Sequence, residues 1–237
     1  MAGPKIRKGK WLLQSLVGSE AEAIAAEYDV GRDLAAEVAR QVHVEADGDT
    51  AALVRQVGSR LAGCVANKKR KFAFAALDSG EPNAFALPGG FIYITRGLIE
   101  LCQSDRDELA FVLGHEMAHV IRGHAIDRIV SDTAIQTLSR TAVVRGALGG
   151  WLKRVGVQFL QSAYSQDREF EADKLGVRLV RAARFDMAAP ERLLRRLCDL
   201  DRQGRLTELS NYFASHPPIA ERANAAAHAA ASRPPHR

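Results

Sequence analysis

Histidines at 115 and 119 bracket Glu116-Met117-Ala118 in a stretch that carries the marks of a buried helix. Four residues make about one turn, so the two imidazoles stand one above the other and can reach a single ion. Glu116 projects about 100° further around the same helix, toward whatever that ion holds. Upstream, Leu109-Ala110-Phe111-Val112-Leu113 is apolar on every side, which demands burial on more than one face. Ser104 is the expected N-cap, and Asp105, Asp107 and Glu108 put negative charge in the positive first turn. Gly123 is the expected stop. A helix this apolar rarely carries His, Glu and His together unless they are paired or metal-bound. That weighs against two incidental core histidines.

The pattern His-Glu-x-x-His puts two zinc ligands and a general base on one helix. A catalytic zinc needs a third protein ligand and an open fourth position. Metzincin spacing would put a glycine at 122 and a histidine at 125, but the chain has Arg122 and Ala125, with His124 one residue out of register. The remaining source is a glutamate from a second helix, and Arg168-Glu169-Phe170-Glu171-Ala172-Asp173 offers one. Glu169 and Asp173 are four apart and share a face, whereas Glu171 points nearly opposite. Glu169 is therefore expected on the metal, with Asp173 accepting from the N–H of a ligand imidazole. Alone, such an acidic stretch reads as an ordinary solvated helix face; the upstream motif reverses that weighting.

Four ordered motifs across residues 16–223 resemble metallopeptidase family 48, gluzincins that include the CAAX prenyl proteases and the HtpX-, Oma- and BepA-type proteases. Beyond His115–His119, these are Asn83-Ala84-Phe85-Ala86-Leu87-Pro88-Gly89-Gly90, Glu169 with Ala172-Asp173, and His216-Pro217-Pro218 with Arg222. The likeness is greatest to the soluble bacterial BepA/Oma-type branch. The resemblance implies that Asn83, Ala84, Phe85 and Ala86 form an edge strand that binds an extended polypeptide by backbone pairing. It implies for His216 either an oxyanion donor or a zinc ligand at rest; the two prolines hold that residue out of a helix. Arg222 is expected to be structural or to support the oxyanion, and the two are not separated.

A chain of 237 residues, 47% of them hydrophobic, can bury one substantial core, and no Gly/Ser-rich linker or repeat divides it. The expected organisation is a basic extension over residues 1–18, a single zinc metallopeptidase domain over 19–225, and a frayed tail over 226–237. Apolar periodicity predicts helices over residues 19–42, 50–66, 105–122 and 189–203, with a pair inside 125–181. A small sheet is expected within residues 72–95, where Phe91-Ile92-Tyr93-Ile94-Thr95 alternates after a Gly-Gly turn. The fold class is α+β and mostly helical; by resemblance, the edge strand of its sheet borders the active-site cleft.

A net charge of +5 is modest, and Lys68-Lys69-Arg70-Lys71 reads as a solvated turn, so no nucleic-acid partner is expected. Cys64, Cys102 and Cys198 suit neither a disulfide framework nor a zinc ribbon. Trp11-Leu12-Leu13 is too short for a signal-peptide core, no cysteine lies near the start for lipid attachment, and no apolar run approaches the roughly 20 residues of a spanning helix. A cytoplasmic location is expected. Residues 141–164, with Trp151 beside cations, are open to two readings: peripheral membrane contact, or packing against the domain's own core, which is preferred.

The expected activity is zinc-dependent endoproteolysis with one Zn²⁺ per chain, held by His115, His119 and Glu169, with Glu116 as the base. At family level the resemblance points to misfolded or damaged proteins as substrates. The competing reading is a non-proteolytic zinc-binding chaperone or adaptor using the same groove. That module would need the strand and not Glu116.

Overall fold

The computed structural model describes residues 19–131, 164–203 and 221–225. Helix α1 (Glu20–Gln41) opens on a capping box. In it the Glu22 N–H donates to Ser19 Oγ at 3.3 Å, and the Ser19 N–H donates to Glu22 Oε2 at 2.8 Å. A two-residue strand β1 (Val44–Glu45) and helix α2 (Asp49–Gly63) follow. Next come strands β2 (Ala73–Leu77), β3 (Ala84–Leu87) and β4 (Phe91–Thr95), a short helix α3 (Arg96–Leu101), and the motif helix α4 (Arg106–Ile121). Helices α5 (His124–Ser131), α6 (Gln166–Ala182) and α7 (Ala189–Arg202) complete the named elements, and residues 221–225 are helical.

The sheet order is β1-β2-β4-β3, with β2 parallel to β4 and the other two pairings antiparallel. It therefore extends beyond the expected residues 72–95 by the short β1, which carries too few residues for alternation to show. Strand β3 stands at an edge, as the resemblance implied. Its side chains alternate between two cores. Ala84 and Ala86 face the larger core with Ile92, Ile94, Leu109 and Leu113. Phe85 and Leu87 join Leu34, Val38 and Tyr93 under α1. Small alanines on the first face let α4 lie close against the strand.

The turn from β3 to β4 is locked to α1. Gly89 and Gly90 have φ of 73° and 94°, a region that favours glycine. A Cβ on Gly89 would lie 2.4 Å from Tyr28 Cα, so the helix backbone rests directly on the turn. Buried Glu27 accepts the Gly89 N–H at 3.2 Å through one oxygen and the Arg70 guanidinium at 3.0 Å through the other. Arg70 thus has a structural partner inside the basic turn.

Helix α4 is the centre of the molecule: every residue from Glu108 to Val120 is buried. Its cap is Asp105 rather than the expected Ser104, since Asp105 Oδ1 accepts the N–H groups of Asp107 at 2.8 Å and Glu108 at 3.2 Å. Ser104 cannot take that role because it sits in the left-handed region (φ 55°), turning the chain out of α3. The C-terminal stop is at Gly123, φ 79°, as expected.

At the other end of the site-bearing core, Glu108 is fully buried and gathers two arginines of α7. Arg196 donates to its two oxygens at 2.6 and 3.0 Å, and Arg192 Nε donates at 3.0 Å. Removing one member of such a cluster leaves unpaired charge, but both arginines are partly exposed and can turn to water. Glu108→Ala should therefore cost about 3 kcal/mol, the low end for a broken buried pair, read as a lowered midpoint in urea unfolding.

Candidate metal centre and active site

Helices α4 and α6 cross glycine to glycine. A Cβ on Gly176 would lie 3.1 Å from the His115 backbone nitrogen, and one on Gly114 would lie 3.4 Å from the Gly176 carbonyl oxygen. That contact lets the acidic end of α6 reach the histidines of α4. His115 and His119 present their Nε2 atoms 3.0 Å apart. Glu169 closes the triangle, with Oε2 at 3.5 Å from His115 Nε2 and Oε1 at 3.3 Å from His119 Nε2. All three side chains are buried, and their candidate ligand atoms lie within 4.8 Å of one another.

The donor set tests what this triangle fits. Zinc takes imidazole nitrogen and carboxylate oxygen at about 2.0–2.2 Å, which in a tetrahedron separates ligand atoms by about 3.3 Å. The three spacings of 3.0, 3.3 and 3.5 Å bracket that value. Two buried Nε2 atoms facing each other at 3.0 Å also need a proton or a cation between them. The residues fit a divalent metal.

Around the triangle each ligand candidate has its own support. His115 Nδ1 lies 2.8 Å from Asp173 Oδ1, the partner expected from the shared helix face. Arg222, fully buried, donates to Asp173 from Nε at 2.7 Å and Nη2 at 2.9 Å, and its Nη1 lies 3.1 Å from Glu169 Oε2. Of the two expectations for Arg222, these contacts favour orienting the carboxylates. Burial works against the Asp173 charge, yet Arg222 and His115 outweigh it and hold its carboxyl down at about 2. Burial likewise opposes a charge on His115, but as long as no cation shares them the Asp173 and Glu169 carboxylates carry its ring up to about 9.

His119 is supported differently. The Tyr164 ring stacks on it at 3.9 Å between centroids and 13° between planes. Its Nδ1 meets Nδ1 of His124 at 3.0 Å. His124 is buried, and burial together with nearby Arg168 pushes its pKa down to about 3, so it is neutral. Neither Tyr164 nor His124 was selected by motif spacing. His124 follows the Gly123 stop, so helical periodicity does not carry across to it. Its signal was a third histidine close behind the motif.

Glu116 is buried beside His115 on α4. Asn83, Ala84, Phe85 and Ala86 lie at and just before β3 and are buried. The Asn83 carbonyl accepts the Thr95 N–H at 2.9 Å, and the Asn83 N–H donates to Thr95 Oγ1 at 2.8 Å, which anchors the start of the strand. The Asn83 carboxamide has no hydrogen-bond partner among the described residues. His216 lies outside the described residues, as does the stretch 141–163 weighed for membrane contact. Among the described residues no helix is long and apolar enough to cross a membrane.

A buried His-Glu-x-x-His helix, a glutamate from a second helix and a small sheet with its edge strand alongside define a gluzincin-like α+β domain. The family model for peptidase family M48 matches residues 49–230, and the chain belongs to that family. It is 29% identical over 169 residues to the mitochondrial metalloendopeptidase OMA1 of Schizosaccharomyces pombe, covering 71% of this chain and 49% of that one. To the mitochondrial metalloendopeptidase OMA1 of Danio rerio it is 30% identical over 152 residues, covering 60% and 32%. To the metalloprotease YcaL of Escherichia coli it is 27% identical over 218 residues, covering 88% and 79%. The chain thus spans about half or less of the two OMA1 proteins.

Proposed function

We propose that this chain is a zinc-dependent endopeptidase that cleaves misfolded or damaged polypeptides, its peptidase unit spanning residues 19–225. The observation that carries the reading is the closure of Glu169 onto the His115 and His119 Nε2 pair at 3.5 and 3.3 Å. The relatives' names, metalloendopeptidase and metalloprotease, agree with it.

In this reading His115, His119 and Glu169 hold the ion. Bound there, zinc supplies Lewis acidity and lowers the pKa of water to about 7. Asp173 and Arg222 fix the His115 tautomer, so that its Nε2 lone pair faces the ion. The outer edge of β3 is where an extended substrate would pair through its main chain, which makes recognition tolerant of sequence. Glu116 takes the proton of the attacking water and returns it to the leaving amine. His216 is assigned the oxyanion role ahead of the resting-ligand role, because catalysis needs an open fourth position. His216→Ala should then lower kcat by about 10²-fold; a rise in basal proteolysis would instead assign it the resting-ligand role.

The test is cleavage of an unfolded protein mixture by the zinc-loaded chain, with new termini mapped by mass spectrometry. Internal termini that appear with the wild type and disappear with Glu116→Gln are expected. Retention of unfolded chains with no new termini would replace the peptidase reading by that of a binding module.

A further inference from the structure

His124 fixes which nitrogen of His119 is free for a metal. The two Nδ1 atoms are 3.0 Å apart, so a single proton lies between them. If that proton is on His124, neutral His119 carries its own proton on Nε2, which then points at His115 and Glu169 and blocks a ligand bond. If it is on His119, the Nε2 lone pair faces those same groups and can bind. The second arrangement puts the His124 proton on its Nε2. That atom is buried, has no aligned hydrogen-bond partner among the described residues, and lies 3.4 Å from Glu171 Oε2. A carboxylate facing an N–H stabilises it, so Glu171 favours the binding-competent arrangement.

We propose that His124, backed by Glu171, is a positioning residue that holds His119 in its metal-binding tautomer. The inference rests on the assignment of His119 as a ligand. It gives the two histidines unlike supports: Asp173 and Arg222 behind His115, a second imidazole and a partly exposed carboxylate behind His119. Tyr164, stacked on the His119 ring, limits its tilt. Glu171, pointing away from Glu169 along the helix, thereby acquires a part that its phase alone would not suggest.

Two substitutions separate this role from simple packing. His124→Phe keeps an aromatic ring of similar size and removes the acceptor. His124→Asn is smaller but places a carbonyl oxygen where Nδ1 stood. Zinc affinity of the full chain would be read by competition with a chelating dye, and folding by the thermal midpoint of the metal-free protein. His124→Phe should bind zinc about 10–100-fold more weakly, with the asparagine variant within a few-fold of wild type. Glu171→Ala, at a half-exposed position, should weaken zinc binding by a few-fold only. Wild-type affinity in the phenylalanine variant would overturn the proposal, as would an asparagine variant no better than phenylalanine. His119→Ala serves as the control for the reading beneath it. If that variant keeps stoichiometric zinc, the ligand assignment itself fails, whatever the His124 variants do.

Discussion

Glu116→Gln should keep its zinc and lose about 10²–10⁴-fold in kcat, the usual worth of a positioned general base. Glutamine has the shape of glutamate and can still accept a hydrogen bond, but it does not take up a proton at neutral pH. Glu116 is buried within α4, one residue from His115, so an isosteric replacement disturbs neither the helix nor the ligand geometry. The loss should fall on kcat with KM little changed, because the proposed substrate strand would be held elsewhere, along β3. Metal analysis and steady-state kinetics on the same preparation check both halves. Loss of zinc would make Glu116 a ligand or a structural group. Unchanged turnover would remove the proposed mechanism.

Much of this site could be read in the sequence because helices impose a period. His115 and His119, and again Glu169 and Asp173, are pairs four apart, and the period alone put each pair on one face. The α4–α6 crossing that joins the pairs depends on Gly114 and Gly176, and neither glycine announces a partner some sixty residues away. Sequence phase kept Glu171 off the face that Glu169 shares with the histidine pair, yet it left the His124 contact unseen, since α5 begins anew after Gly123. Boundaries erred for a similar reason. Ser104 is as good a cap as Asp105 by residue type, and only the left-handed turn out of α3 decides between them. The two-residue β1 lies below the length at which alternation carries information.

The sharpest contrast lies within α6. Glu169→Ala should reduce zinc affinity by more than the roughly 100-fold that loss of a supporting residue can cost, and proteolysis should fall with the metal. Glu171→Ala, two residues on, should keep stoichiometric zinc at micromolar protein. The physical ground is phase: Glu169 is fully buried between Arg222 Nη1 and the two Nε2 atoms, whereas the Glu171 side chain is 35% exposed and, among the described residues, faces His124 and Arg122. Removing Glu169 also deprives buried Arg222 of one carboxylate, but Asp173 still accepts from it twice, so the fold should survive with a lowered midpoint. Titration of zinc into both variants, with thermal unfolding alongside, separates metal loss from unfolding. If Glu171→Ala loses the ion and Glu169→Ala keeps it, the ligand face of α6 is the opposite one, and the three-ligand centre proposed for this chain is wrong.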